Sequence, residues 1–322
     1  MHYKRLGRSG LKVSEISLGS WITFGSQIET DTSKKLIQTA YDAGINFFDC
    51  ADVYSSGKAE IEMGKAIKGL PREALVLSSK VFWPTMPGPN GRGLSRKHIN
   101  ESINASLKRM GVDYLDLYFC HRFDPDSPMD EIVRSMDDLI HQGKILYWGT
   151  SEWRGWQISS AIGTASIHNQ IAPTMEQPQY NMFHRDRMEN ELAPICKEFG
   201  IGITTWSPLY GGILSGKYKN GVPAGSRASM EKMDWFKDRI TPERLAIVEQ
   251  LDAVASDLGI TVSQLAIAWQ LRRKDVSSVI TGATKLKQLK ENTESAEAVD
   301  KLTDEVLERI EIILGNHPED ED

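Results

Sequence analysis

Residues 114–149 read YLDLYFCHRFDPDSPMDEIVRSMDDLIHQGKILYWG, which is one strand–helix–strand unit. The apolar runs Tyr114–Cys120 and Ile145–Gly149 are typical of buried β-strands. Between them, Pro128 starts a helix and Gly143 ends it. The apolar positions of this helix recur at helical spacing, at Ile132, Val133, Met136, Leu139 and Ile140. Strands that alternate with helices in this way predict a parallel sheet whose outer face the helices cover.

The same unit repeats along the chain. Eight strands are predicted, at Ile16–Leu18, Asn46–Asp49, Ala74–Ser79, Tyr114–Cys120, Ile145–Gly149, Thr174–Gln177, Gly202–Trp206 and Ser277–Ile280. The first six steps from strand start to strand start are 30, 28, 40, 31, 29 and 28 residues, close to the roughly 30 residues of one strand–helix unit. Eight units favour closure into a (β/α)8 TIM barrel, whose active site lies on the loops after the strands. A doubly wound open sheet is the competing topology.

Other segments are expected to be additions to the barrel. Residues 3–13 read as a β-hairpin before the first strand, and the gap between Trp206 and Ser277 predicts a long extra loop after the seventh strand. A C-terminal helix is expected to end the fold. Capping residues mark further helix starts, at Asp31 or Thr32, at Ser95 and at Thr241. Because no linker divides the chain, residues 1–322 are predicted to form a single domain.

Composition narrows the classes of function. The 322 residues carry a net charge of −6, with no basic stripe, which disfavours a nucleic-acid partner. The absence of about 18 consecutive apolar residues disfavours insertion into a membrane. Three widely spaced cysteines and a start without the apolar stretch of a signal peptide favour a cytoplasmic protein with reduced thiols. The seven histidines show no metal-ligand spacing.

Ionisable residues follow three consecutive strands. Asp49 ends the second strand and Tyr54 lies in its loop, Lys80 follows the third strand, and His121 follows the fourth. Taken singly, these are typical of a helix cap, packing, a solvated charge and a structural histidine. Adjacent strand ends of a barrel converge in space, so together they predict an active site.

Here the sequence resembles a known family. Asp49, Tyr54, Lys80 and His121 match the Asp, Tyr, Lys and His tetrad of the aldo-keto reductases. The resemblance is closest to the branch that contains the voltage-gated potassium-channel β subunits. The segments that carry it are Leu18–Phe24, Gly93–His98, Tyr147–Ser151, Trp206–Leu209, Ser215–Tyr218 and Gln264–Trp269. The resemblance implies an NADPH-dependent reductase of small-molecule aldehydes or ketones.

Elementary chemistry is consistent with this assignment. The oxygen of a carbonyl that receives hydride needs a proton donor, and Tyr54 is the candidate general acid. A free tyrosine has a pKa of about 10, which a neighbouring Lys80 ammonium is expected to lower. Asp49 is expected to hold Lys80 in place and keep it charged. His121 is expected to donate a hydrogen bond that orients the carbonyl.

The cofactor site is placed by resemblance. The first strand leads into Gly19-Ser-Trp21 and lacks the glycine pattern of a Rossmann fold. The resemblance implies cofactor contacts from Ser20, Trp21, Gln27, Asp49, Ser151, Glu152, Gln177, Trp206, Ser207, Pro208, Leu209, Gly211, Lys217, Arg227, Gly282, Thr284, Gln288, Glu291 and Asn292. Among these, Lys217, Arg227 and Thr284 would lie near the phosphates. NADPH is preferred to NADH because cations are available for its extra phosphate, although Glu152 stands where the channel subunits carry arginine.

The sequence also predicts a substrate pocket and leaves two alternative functions open. Trp21, Tyr54, Trp83, His121 and Trp153 are predicted to wall the pocket. One alternative is a weakly catalytic NADP(H)-binding subunit of a membrane or other partner; His121, where the channel subunits carry asparagine, favours the enzyme. Another is an aldolase-like enzyme with Lys80 as a Schiff-base nucleophile, which the neighbouring Asp49 disfavours. A homo-oligomer of four or more copies is possible, and nothing in the pattern excludes a monomer.

Overall fold

The structure, a computed structural model, describes residues 1–230 and 234–318. Eight parallel strands form a closed barrel, in which each strand pairs with the next along the chain and β10 pairs with both β9 and β3. The strands are β1 (Tyr3–Arg5) and β2 (Lys12–Ser14) of an antiparallel hairpin, and β3 (Ile16–Gly19), β4 (Phe47–Asp49), β5 (Val76–Val81), β6 (Leu115–Cys120), β7 (Ile145–Ser151), β8 (Met175–Gln177), β9 (Gly202–Thr205) and β10 (Val276–Thr281) of the barrel. The predicted TIM barrel with an N-terminal hairpin is therefore confirmed, and the open sheet is wrong.

Helices follow the strands and cover the barrel. They are α1 (Thr30–Asp42), α2 (Lys58–Ile67), α3 (Arg96–Met110), α4 (Met129–His141), α5 (Gly155–Ile167), α6 (Ala193–Phe199), α7 (Asp234–Lys237), α8 (Pro242–Asp257), α9 (Val262–Leu271), α10 (Leu286–Glu294) and α11 (Asp304–Leu314). The hydroxyls of Ser95 and Thr241 cap α3 and α8 as predicted. The prediction that Asp31 or Thr32 caps α1 is wrong. Helix α1 begins earlier, at Thr30, whose hydroxyl donates to Glu62 of α2 at 2.5 Å.

Two apolar layers hold these elements together. Inside the barrel, Phe47, Leu117 and Phe119 pack together, and Leu6 and Val13 of the hairpin join them. The hairpin therefore covers the end of the barrel where the strands begin. Between the strands and the helices lies a larger apolar cluster. Since successive strand residues point to opposite faces, this outer layer includes Cys50 and Cys120, next to Asp49 and His121.

The segment between β9 and β10 holds the extra structure that the sequence predicted. Helices α7 and α8 precede α9 there, and the predicted C-terminal helix is α11, which packs on α8. In the parts of the chain that the structure describes, no single helix is both long and apolar enough to cross a membrane. Helices α8 and α9 meet that test only when they are taken together, across a bend of 85°.

Candidate active site

The ends of β4 and β5 bring Asp49 and Lys80 into contact. The Nζ atom of Lys80 lies 2.8 Å from Oδ1 and 2.7 Å from Oδ2 of Asp49, and 2.7 Å from the carbonyl oxygen of Cys50. Lys80 is fully buried. A buried ammonium requires a charged partner and satisfied hydrogen bonds, and these contacts supply both. The salt bridge therefore forms the floor of the site.

Asp49 is fixed by two further donors. The Ser78 hydroxyl donates to Oδ1 at 2.8 Å, and the Gln177 amide donates to the same atom at 3.1 Å. Gln177 belongs to β8, on the far side of the barrel from β4. Residues from separate strands therefore share one hydrogen-bonded network, which holds the carboxylate in a single orientation.

Tyr54 lies above this floor, on the turn that follows β4. Its Oη atom is 3.4 Å from Nζ of Lys80. The turn is tight, because Ser55 and Ser56 have φ values of 50° and 54°, in the left-handed region. The Tyr54 ring lies 6.4 Å from the Trp21 ring and 5.8 Å from the His121 ring. The four predicted tetrad residues are thus brought together.

The structure does not support the expected lowering of the Tyr54 pKa by Lys80. Burial, followed by the negative charge of Asp49, raises the pKa of the Tyr54 phenol well above its ordinary value. The ammonium does not offset these effects, since Asp49 already neutralises it at 2.7 Å. The phenol is consequently protonated at neutral pH, as a proton donor must be.

His121 is a neutral group in this site. Burial, and then the charges of Lys80 and Arg122, lower the pKa of the imidazole well below its ordinary value. Its Nδ1 atom is buried and has no hydrogen-bond partner among the described residues. A neutral imidazole carries one N–H donor and one acceptor. His121 can therefore polarise a carbonyl by hydrogen bonding without adding a charge to the site.

The tetrad opens into a cavity of about 730 Å³ at the ends of the strands. The cavity is large enough for a dinucleotide's reactive end and a small substrate. Most residues predicted for cofactor and substrate line it, namely Trp21, Gln27, Asp49, Tyr54, Trp83, His121, Ser151, Gln177, Trp206, Ser207, Pro208, Leu209, Gly211, Lys217, Arg227, Gly282, Thr284, Gln288, Glu291 and Asn292.

Three of the residues predicted for cofactor and substrate do not line this cavity. Ser20 is fully buried, and its hydroxyl donates to the backbone oxygen of Asp49 at 3.0 Å. Trp153 is also fully buried and packs against Phe123, with ring centres 5.1 Å apart. Both side chains point into the protein and away from the cavity.

Glu152, the third of these residues, holds another residue of the site. Its Oε1 atom accepts hydrogen bonds from the Trp206 indole at 2.9 Å and from the Gln179 backbone at 2.5 Å, while Oε2 accepts one from Arg187 at 3.0 Å. Glu152 has a φ of 60°, a strained value for a residue with a side chain. The carboxylate thus fixes the ring of Trp206, which lies 6.1 Å from the Trp21 ring in an edge-on arrangement.

Two positively charged side chains belong to the lining of the cavity. Lys217 and Arg227 line it, and no carboxylate among the described residues forms a salt bridge with either. Burial, and then the charge of Arg227, lower the pKa of Lys217, and burial lowers the pKa of Arg227 to about 10. The Lys217 amine lies close to Gly212, where an added Cβ would come within 2.3 Å of Nζ. Two cations without acidic partners among the described residues are available to an anion.

Some lining residues were missed by the sequence interpretation. They include Arg122, Gly212, Trp235 and Ser263. Arg122 directly follows His121 at a strand end, a position that could have identified it. Trp235 and Ser263 lie in the long segment after β9, where regular spacing gives no guide to which side chains face the barrel.

Comparisons with known proteins agree with this geometry. The sequence model of the "Aldo/keto reductase family" matches residues 15–314. A protein of Arabidopsis thaliana named "Probable voltage-gated potassium channel subunit beta" is 47% identical over 322 residues, which cover 99% of this chain and 98% of that protein. A protein of the same name from Oryza sativa subsp. japonica is 46% identical, with the same shares covered. The similarity therefore includes the whole barrel.

Proposed function

Because the chain belongs to the aldo/keto reductase family, we propose that it reduces aldehydes or ketones to alcohols with NADPH. The observation that carries the proposal is the placement of the Tyr54 hydroxyl 3.4 Å from the Lys80 ammonium, next to His121 in the cavity. Asp49 fixes that ammonium from below. A proton donor, a cation and a neutral hydrogen-bond donor then surround the position of one carbonyl oxygen.

The proposed roles follow from the charges of the site. Tyr54 donates its proton to the carbonyl oxygen as negative charge develops there. The phenolate that remains is stabilised by Lys80, whose Nζ atom is also 5.1 Å from the centre of the Tyr54 ring. His121 orients the carbonyl through its N–H. The nicotinamide of NADPH, when bound, supplies the hydride.

The residues present fit NADPH. Lys217, which is exposed, and Arg227, which is half-buried, line the cavity and have no carboxylate partner among the described residues, so both are available to a phosphate group. Toward the tetrad, Ser151 and Gln177 offer polar side chains for a carboxamide, and Trp206 offers a ring against which the nicotinamide can stack. The second phosphate of NADPH at the ribose gives this cofactor its proposed advantage over NADH.

The direct test is consumption of NADPH by the purified protein with 4-nitrobenzaldehyde or methylglyoxal. We expect aldehyde-dependent oxidation of NADPH, followed by absorbance, and formation of the alcohol. NADPH that binds tightly but is not consumed with any aldehyde or ketone of a broad panel would contradict the enzymatic proposal.

A second candidate function is an NADP(H)-binding subunit of a membrane protein, and the names of the relatives, which call them channel subunits, favour the subunit role. A cofactor-binding subunit needs the cations Lys217 and Arg227 but has no need of a proton donor at Tyr54. Tight NADPH binding without turnover, together with association with a membrane partner, would favour this candidate. A cytoplasmic location and a homo-oligomer stay predictions under either function.

Replacing Glu152 with alanine tests whether Trp206 must be held in place. The change removes the acceptor of the Trp206 indole N–H and the partner of Arg187. Hydrogen bonds to charged groups contribute about 1.5–3 kcal/mol, and we expect roughly tenfold weaker NADPH binding, measured by fluorescence titration. Glu152→Gln retains one acceptor oxygen and should lose less. Unchanged affinity in Glu152→Ala would show that Trp206 is held by packing alone.

A further inference from the structure

Arg122 lines the substrate half of the cavity, next to the proposed reacting groups. It follows His121 at the end of β6, and its guanidinium carbon lies 5.6 Å from the centre of the Trp83 ring. The Trp83 ring in turn lies 6.4 Å from the His121 ring. This positive group is therefore close to the proposed carbonyl position, and it belongs neither to the tetrad nor to the cation pair Lys217 and Arg227.

The guanidinium of Arg122 is incompletely satisfied. One N–H donates to the backbone oxygen of His121, and the structure gives it no salt bridge within the described residues. An arginine side chain has five N–H donors. Several of them are therefore available to a ligand in the cavity.

The neighbouring carboxylate of Glu152 does not pair with Arg122. Glu152 is close enough to affect the charge of Arg122, but its oxygens already accept hydrogen bonds from Trp206, Gln179 and Arg187. A carboxylate that is fully engaged elsewhere cannot move to Arg122 without leaving those donors unpaired. The arrangement keeps Arg122 free for another partner.

Two other partly buried arginines of this fold do have acidic partners. Arg109 lies 2.5 Å from Glu60, and Arg187 lies 3.0 Å from Glu152. Leaving a partly buried charge without a counter-charge is unfavourable, so proteins usually pair such groups. Burial accordingly lowers the pKa of Arg122. An anion from the substrate would complete the same kind of pair.

We propose that Arg122 determines substrate specificity by binding a carboxylate on the carbonyl substrate, whose apolar part packs against Trp83. The favoured substrates are thus aldehydes that carry a carboxylate about one aromatic ring away from the carbonyl group. Guanidinium and carboxylate groups form paired, parallel hydrogen bonds, which would also fix the direction in which the carbonyl enters. This inference rests on the proposed reductase function.

The reaction is the one proposed above. The carbonyl carbon gains hydride from NADPH, which is oxidised to NADP⁺, and the oxygen gains the proton of Tyr54, so the aldehyde is reduced to an alcohol. The carboxylate takes no part in the bond changes. Arg122 acts on binding and orientation.

The experiment compares two aldehydes of the same shape and different charge. A nitro group is planar like a carboxylate but neutral, so 4-carboxybenzaldehyde and 4-nitrobenzaldehyde differ mainly in charge, and the 3-substituted pair tests a second spacing. We expect Arg122→Met to lower the ratio of kcat/KM for the carboxylate over the nitro compound by about tenfold or more. The change should come mostly through KM. Electronic differences between the two compounds cancel, since each ratio is compared with that of the unaltered protein.

Two further variants separate the possible causes. Arg122→Lys keeps the charge and should restore part of the ratio. Arg92→Met removes an exposed guanidinium that lies 5.9 Å from the Phe82 ring, outside the cavity lining, and should leave the ratio unchanged. If Arg122 only supported His121, Arg122→Met would lower both kcat/KM values equally. An unchanged ratio for both ring positions would overturn the proposal.

The same experiment distinguishes an error in the proposed reductase function from an error in the proposed specificity. If the protein is not a reductase, the unaltered protein will oxidise NADPH with neither the nitro nor the carboxylate aldehydes. If it is a reductase without the proposed specificity, the nitro compounds will be reduced and the ratios will not respond to Arg122→Met.

Discussion

Replacing Tyr54 with phenylalanine lowers the turnover number by at least about a hundredfold, the lower range of what a positioned proton donor contributes. The change removes only the hydroxyl, which lies 3.4 Å from the Lys80 ammonium. The ring, its contact with Trp21 and the cation site at Lys217 remain, so NADPH should bind as before. Single-turnover kinetics and a cofactor titration on the same preparation measure both quantities.

Tyr118→Phe is the matched control for this variant. Tyr118 is a fully buried phenol of β6 that does not line the cavity, and its removal should leave turnover close to that of the unaltered protein. Turnover in Tyr54→Phe within about threefold of the unaltered protein would refute the acid assignment, since such a change is far below the effect of a lost proton donor.

The direction of the Tyr54 pKa shift sets the pH dependence of reduction. Burial and Asp49 raise this pKa above the ordinary value, which is about 10 for a free tyrosine. The phenol therefore keeps its proton through the whole range up to about pH 10. We expect the alkaline side of the turnover profile to show no loss from Tyr54 below that pH.

Replacing Arg227 with alanine weakens NADPH binding by about 10- to 100-fold and NADH binding much less. Hydrogen bonds between charged groups contribute about 1.5–3 kcal/mol, and about 1.4 kcal/mol corresponds to a factor of ten. Only NADPH carries the additional phosphate that this guanidinium is proposed to bind. Fluorescence titration with each cofactor gives the two dissociation constants and their ratio.

The controls for Arg227 address packing and total charge. Arg227 lies over the Trp21 ring at 4.7 Å, so Arg227→Met, which retains most of the volume, should reproduce the selective loss of NADPH. Arg239 lies 4.9 Å from the Trp235 ring and does not line the cavity, and Arg239→Met should not alter the ratio of the two affinities. Equal losses for NADPH and NADH in Arg227→Ala would contradict the phosphate role.

Much of this site could be predicted from the sequence because strand ends obey simple geometry. Asp49, Lys80 and His121 lie at or next to the ends of consecutive parallel strands, and the ends of such strands converge whatever the details of packing. The alternation of residues in a strand likewise explains why Cys50 and Cys120, next to Asp49 and His121, face the helices. Both are buried in the outer apolar layer.

The side-chain directions of loop residues do not follow from strand geometry, and the predictions of cavity lining that were wrong concern loop residues. Trp153 was expected to wall the substrate pocket, and the resemblance implied a cofactor contact for Glu152, but the chain turns at Glu152 with a φ of 60°. That turn directs the Trp153 ring into the protein and the Glu152 carboxylate towards Trp206 and Arg187. The structure also placed Arg122, which the sequence interpretation passed over, beside His121 in the cavity.

The sequence alone therefore determined the order of strands and helices and the set of reactive groups at the strand ends, because both follow from periodic spacing along the chain. The tertiary structure decided the properties that depend on surroundings. The pKa of Tyr54 rises because of burial and the charge of Asp49, and Arg122 remains without an acidic partner among the described residues because Glu152 is engaged by other donors. Burial and pairing arise from contacts between residues far apart in the chain, which local patterns do not specify.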